Sequence, residues 1–261
     1  MNSEPPDFTE EPFIRAVAVA RPFAWIASGI RDLARAPGPS LVHGAMVVVG
    51  GWIIAALALE WLPLLPGAFS GFVLVGPILC TGLYELSRRI ERGEPTSFAH
   101  VLVAWRRGTR PLVWLGLGLA LAGTAWVLVS AVLVAIFVKA PISGADAFIR
   151  HVVFSEGTNL FAIWVLFGGA GASLVFAATV VSAPFLLDRD TDLATAVWTS
   201  IRAVGANPLA MSLWAALIMV ATALSFATAM LGFLVTSPVI GHATWHAYRE
   251  TVDPKGIPAR E

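Results

Sequence analysis

The sequence predicts an all-α, polytopic membrane protein: a six-span helical bundle built as three parallel hairpin repeats, each preceded by an amphipathic interfacial helix, with both termini cytoplasmic. Three observations carry this prediction. The 261-residue chain is 57% hydrophobic and only 13% charged, with a mean hydropathy of +0.77. A soluble domain carries about 25% charged residues, so this chain has too little polar surface to coat a globule. Its apolar residues gather into uncharged runs near the roughly 20 residues that cross a bilayer. Finally, its arginines cluster on alternate sides of those runs, as the positive-inside rule requires.

Taken in order, residues 1–12 form an acidic polar tail without the basic and apolar regions of a signal peptide. Residues 13–92 form the first unit. Segment 13–36 mixes Arg15, Arg21, Arg31 and Arg35 with Trp25 and reads as an interfacial helix. Spans 40–62 and 69–86 follow, separated by a proline-flanked turn at 63–67. Residues 97–190 form the second unit, with an interfacial helix at 97–108 carrying Trp105 and two uncharged spans at 111–138 and 160–187. Residues 192–250 form the third. Its interfacial helix, 192–205, carries Trp198, and Asp192 is placed to cap it. Between Arg202 and His242 lie 39 residues without a charge or a histidine. At about 1.5 Å per residue that is too long for a single crossing of about 30 Å. The run divides into spans 207–224 and 228–248, with a turn near Phe226. Residues 251–261 are a second polar tail, and the whole chain reads as a single membrane domain.

With this topology, 15 of the 17 basic residues fall on the cytoplasmic side, and only Lys139 and Arg150 on the other. Five or seven spans would scatter them. The repeat rests on matched tetrapeptides: Ser28-Gly29-Ile30-Arg31 with Thr199-Ser200-Ile201-Arg202, followed at the same offset by Pro37 and Pro208. The stretch from Gly71 to Pro77 likewise matches Gly232 to Pro238, and the middle unit has Val181-Ser182-Ala183-Pro184. The first and third units are offset by an even number of spans, so the repeats run parallel, as in some transporters.

Few residues invite chemistry. His242 and His246 stand four apart, on one helix face, at a spacing used by metal and haem ligands. Trp245 and Tyr248 in the same segment mark headgroup depth, which favours polar contacts at the interface over a ligand role. His43, at the inner end of the first span, is the one further nitrogen placed to approach. Glu85, at the inner end of the second span, is a candidate proton or ion group, since an acid at membrane depth is a functional hypothesis; Glu60, beside Trp61, is a weaker one. Pro77, Pro184 and Pro238 are read as kinks, because each removes a backbone hydrogen bond. Gly168-Gly169-Ala170-Gly171-Ala172-Ser173 reads as a close helix-packing surface. The acids of Leu187-Asp188-Arg189-Asp190-Thr191-Asp192 are placed to pair with Arg88, Arg89 and Arg92. The lone Cys80 excludes an internal disulfide. The zero net charge suggests no nucleic-acid partner.

The segment SAPFLLDRDTDLATAVWTSIRAVGANPLAMSLWAALI, followed by SPVIGHATWHAYRE, resembles the DUF2189 family of predicted integral membrane proteins, found mainly in proteobacteria. The resemblance runs from the first interfacial helix to Tyr248. It implies a multi-pass protein of the bacterial inner membrane and supplies no activity and no catalytic residues. Some members carry a cytochrome c oxidase label, which the five histidines here do not support for a catalytic oxidase subunit.

The expected function is therefore non-enzymatic: an accessory, scaffolding or assembly protein for a membrane complex, a respiratory one included. Its expected partners are membrane lipids and another membrane protein, with no cofactor and no metal. Oligomeric state is left open. Two alternatives stand beside it. One is a transporter or channel for a small or lipidic substrate, and the other a haem or metal carrier using His242 and His246.

Overall fold

The computed structural model describes residues 12–59, 72, 76–106, 109–138, 154 and 159–260. Glu60, Trp61, the turn at 63–67, His151, Lys139 and Arg150 lie outside the described residues, as does the side chain of Trp105.

Among the described residues the apolar runs are helical, apart from short breaks. Helix α1 (Arg21–Arg35) starts where Pro22 fits the first helical turn. The helix expected from residue 13 is therefore shorter, because Phe13–Ile14 forms a strand, β1, instead. Helix α1 buries Pro22, Trp25, Gly29 and Asp32, a spacing that lines one helix face. Ala36 breaks the helix, and Pro37 opens α2 (Pro37–Leu59). Two short helices follow, α3 (Gly76–Leu79) and α4 (Thr81–Glu91), then α5 (Phe98–Arg106). Helices α6 (Arg110–Phe137) and α7 (Leu160–Thr179) form the middle hairpin. The run expected as one span at 160–187 breaks at Val180 and Val181 and resumes as α8 (Ser182–Asp188). Pro184 has no N–H for the bond to Val180, and the Val181 amide is taken by the Ser200 hydroxyl at 3.1 Å.

Helix α9 (Leu193–Ala206) begins at Asp192, whose carboxylate accepts from the Thr195 amide at 3.0 Å, so the expected cap is present. Asn207 then breaks the chain before Pro208 opens α10 (Pro208–Ala227). This junction repeats the first one closely: Asn207 has φ −129° and ψ 49°, and Ala36 has φ −131° and ψ 57°, each directly before a proline. The turn expected near Phe226 falls slightly later, over 228–232, where Ala229 and Met230 adopt positive φ of 50° and 70°. It leads into α11 (Phe233–Thr251) and the strand β2 (Val252–Asp253). Strand β2 pairs antiparallel with β1, with Ile14 opposite Val252. What reads in the sequence as a loose tail after residue 250 is thus a structured edge.

Among the described residues, four helical runs are long and apolar enough to cross a membrane: Pro37–Leu57, Arg110–Phe137, Leu160–Asp188 and Pro208–Ala227. The expected second span lies partly outside the described residues. The expected sixth, α11, carries four ionisable side chains in its second half, His242, His246, Arg249 and Glu250.

Helix α11 is the axis of the core. It packs on α1, α2 and α4, and backbones meet where glycine leaves room. A β-carbon at Gly29 would lie 2.5 Å from the Val239 carbonyl oxygen, and one at Gly44 would collide with Leu234. Gly241 in turn accommodates Leu83. The main cluster of buried side chains sits at the arginine-rich end and includes Trp25, Tyr84, Phe185, Trp214, Trp245 and Tyr248.

Candidate functional site

The two histidines that share a face of α11 lie within this cluster. His242 is fully buried, and its ring is held on both sides. Its Nδ1 is 2.7 Å from the Ser87 hydroxyl of α4, and its Nε2 is 3.0 Å from the Ser40 hydroxyl of α2. Ser87 also donates to the Asp32 carboxylate of α1 at 2.8 Å. The same Asp32 oxygen is 2.8 Å from Nε2 of His246, one turn further along α11. Four helices are thereby joined by one continuous chain of hydrogen bonds, from His246 through Asp32, Ser87 and His242 to Ser40.

The proton positions follow from the donor inventory. An ionised carboxylate only accepts, and a serine hydroxyl has one hydrogen to give. Ser87 gives its hydrogen to Asp32, so its oxygen accepts from Nδ1–H of His242. The Nε2 of His242 is then the acceptor for Ser40. Every donor in the chain points towards Asp32, the single formal charge among the buried members. Burial acts to raise the Asp32 pKa, but the hydrogen bonds from His246 and Ser87 outweigh it and hold the carboxyl below its ordinary value.

His43 is buried on α2, three residues beyond Ser40. Glu85 is not part of the chain. It turns to its own helix, with the Arg88 guanidinium at 2.7 Å and Arg89 at 3.9 Å. Of the prolines, only Pro238 is interior to a helix; Pro77 and Pro184 sit in the opening turns of α3 and α8. Among the described residues, no group of three His, Cys, Asp or Glu side chains is arranged to hold a metal ion.

Three aromatic residues that the sequence places at headgroup depth are buried within the protein. Trp25, Trp245 and Tyr248 are each 1% exposed or less. Their polar tips reach carboxylates within the protein: Trp25 donates to Glu250 at 2.7 Å, Trp245 to Glu91 at 3.0 Å and Tyr248 to Asp188 at 2.7 Å. A buried indole or phenol needs such a partner, and the arginine-rich end supplies the acids. Trp198, by contrast, is 55% exposed.

The acids between residues 187 and 192 do not meet Arg88, Arg89 and Arg92. Asp188 accepts from Tyr248 and Arg189, and Asp190 pairs with Arg260 at 3.0 Å. Arg88 reaches the Arg260 carbonyl instead, also at 3.0 Å. The chain end is thereby the bridge between α4 and α8 that the sequence assigned to a direct pair.

Sequence reasoning missed Asp32, Ser87 and Ser40. One signal for Asp32 is visible: it continues the apolar stripe of Pro22, Trp25 and Gly29, where an acid demands a partner.

Long apolar helices joined by a hydrogen-bonded polar end define the class of protein, a polytopic helical membrane protein. Residues 64–188 match the family model DUF2189, a predicted integral membrane protein. The matched stretch is narrower than the resemblance read from the sequence, which extended from the first interfacial helix to Tyr248. It takes in α3 to α8 and leaves out α1, α2 and α11, which carry Asp32, Ser40 and the two histidines. No curated protein and no solved structure matches the chain.

Proposed function

We propose that this protein is a non-enzymatic membrane scaffold, an accessory or assembly subunit whose arginine-rich end is a rigid platform and whose middle hairpin presents apolar surface to another membrane protein. The observation that carries this reading is the contrast in burial between these two parts. Only 6% of the apolar window of the run Leu160–Asp188 is buried within the chain. Leu166, Phe167 and Leu174 of α7 are each more than 60% exposed. At the other end, three of the four nitrogens of His242 and His246 are committed to Ser40, Ser87 and Asp32. That commitment favours a lock between helices over a ligand-binding pair.

The platform is proposed to face the cytoplasm of a bacterial inner membrane, with six spans in three parallel units and both termini inside. The positive-inside bias supports the orientation. The matching junctions at Ala36-Pro37 and Asn207-Pro208 support a common origin of the first and third units. Reporter fusions after Glu261 and near Gly108 are expected to read cytoplasmic, and one near Ser143 to read periplasmic. A periplasmic C-terminus overturns the topology.

For the scaffold role, photo-crosslinking residues placed at Leu166 and Leu174 in native membranes are expected to yield one discrete protein adduct. The same probe at Leu209, on the exposed face of α10, is expected to yield lipid adducts alone. If α7 also yields only lipid, the hairpin faces bilayer on that side and the scaffold reading fails.

A further inference from the structure

Beside the buried network, the arginine-rich end contains an open cavity of about 320 Å³ lined by Arg15, Arg189, Arg249 and Lys255, with Asp253 and the turn at residues 254–257 completing its wall. Four cationic side chains and one acid face a single space. From this geometry we propose that the cavity is a binding site for a phosphate group, carried by an anionic lipid or a soluble phosphate ester. The inference is independent of the scaffold role.

The cationic side chains come from four separate places: the segment before α1, the junction after α8, the end of α11 and the turn after β2. Convergence of basic groups from distant parts of a chain is unlike a solvated charge run, in which neighbours in sequence project apart. The arginines are also held in place. Arg189 bonds the Ile257 carbonyl at 3.1 Å and Asp188 at 3.0 Å, and Arg249 bonds Glu91 at 2.9 Å. A guanidinium has five N–H donors in a fixed fork, so these contacts position each side chain while leaving further donors for an anion. Arg15 is fixed by Asp253 at 2.8 Å, and Lys255 approaches the same carboxylate at 3.7 Å. Asp253 thus shows the geometry with which this pair receives an anionic oxygen.

The wall is rigid as well. The Ile257 amide closes a turn onto Pro254 at 3.1 Å, and Gly256 provides the positive φ, 81°, that the turn requires. The chain beyond it is pinned by Asp190 to Pro258 and by the Arg260 amide to the Asp188 carbonyl. A pre-formed cationic pocket of this size suits a phosphate with a small attached group, and arginine forks match phosphate oxygens in pairs. Basic pockets at the ends of membrane helices are where anionic headgroups bind.

The test uses the full-length protein in mild detergent, with binding read by native mass spectrometry. The probes are short-chain phosphatidylglycerol, short-chain phosphatidylcholine, glycerol 3-phosphate and inorganic phosphate. Phosphatidylglycerol or glycerol 3-phosphate is expected to bind at one site, with phosphatidylcholine at least tenfold weaker and inorganic phosphate competing. Tight binding of phosphatidylglycerol with weak glycerol 3-phosphate assigns the site to lipid; the reverse assigns it to a soluble ester. The double variant Arg15→Gln/Lys255→Gln removes two exposed side chains and is expected to weaken binding at least tenfold. Arg31→Gln/Arg35→Gln removes the same charge from exposed positions on α1 and is expected to change it less than twofold. Equal losses in both double variants, or equal binding of phosphatidylcholine, overturn the proposal.

Discussion

Helices α7 and α11 have nearly the same length, 20 and 19 residues, and both carry glycine near the middle. Their surroundings differ completely. In α11 the residues from Gly241 to Trp245 are all buried, together with Phe233, Pro238, Ala247, Tyr248 and Thr251. In α7 only Leu160 and Thr179 are. Gly241 meets Leu83, but Gly169 and Gly171 meet nothing within 4 Å; only Gly168 in that stretch has a neighbour, the Trp126 ring of α6. A small residue in a membrane helix permits close approach without enforcing it. What enforces it in α11 is the set of polar side chains that must find partners once they leave water. In α7 one such group meets a neighbouring helix, the Trp164 indole that donates to Ser130 of α6 at 3.0 Å, and the rest of its surface is left to lipid or a second protein.

The largest test of this comparison is Asp32→Ala. It strips the acceptor from both His246 and Ser87, and removing one partner of a buried charged contact costs on the order of 3 kcal/mol. Leu174→Ala, on the exposed face of α7, is expected to cost less than about 0.5 kcal/mol. Unfolding in detergent measures both, and equal losses would remove the distinction between the two regions. Acid offers a second approach to the same group. The folded pKa of Asp32 lies below its unfolded value of about 3.9, so its contribution is complete above that pH and is lost as the pH falls through the folded value. The Asp32→Ala protein is expected to lose less stability over that acid range than the parent.

Close approach is tested next, by Gly29→Val against Gly171→Val. The added β-carbon at Gly29 would strike the α11 backbone at Val239 and Ala243, and overpacking of this kind costs about 1–3 kcal/mol. At Gly171 there is open space. A comparable loss at Gly171 would mean that this face of α7 is packed against something in the preparation, which sharpens the comparison towards a bound partner.

Much of this arrangement is legible in the sequence, for reasons tied to particular residues. The spans at 111–138 and 207–224 follow from apolar length, and Asp192 announces its helix by type and position. The pairing of His242 with His246 on one face follows from helical period alone. Their partners do not, because Ser87 and Ser40 stand 155 and 202 residues away in sequence and serine is common at helix ends. The sequence places Trp25, Trp245 and Tyr248 at headgroup depth without saying which polar group each one meets. An indole or phenol needs one polar contact, and water, headgroup or an internal carboxylate serves alike. Composition cannot separate these, whereas Glu250, Glu91 and Asp188 in the folded chain do.

The smallest expected effect tests whether α9 belongs to the platform or only borders it. Asp192 caps α9 from its surface side, accepting from the Thr195 amide at 3.0 Å and the Thr195 hydroxyl at 2.6 Å. Partial burial acts to raise its pKa, but the Thr195 hydroxyl and the first backbone amides of the helix outweigh it and hold the carboxyl below its ordinary value. The sign matches that of Asp32: the stabilisation is present above about pH 3.9 and fades as the carboxyl is protonated below it. Asp192→Ala is expected to cost about 1 kcal/mol, the usual worth of an N-cap, and Asp192→Asn, which keeps an acceptor, only part of that. Helix α9 also supplies Ser200, whose hydroxyl holds the Val181 amide at the break before α8. If the platform and α9 unfold together, Asp192→Ala and Ser200→Ala each lower the single transition that Asp32→Ala lowers. If α9 frays alone, hydrogen exchange rises in residues 193–196 of Asp192→Ala while the main transition stays in place, and the boundary of the platform moves inward to α8.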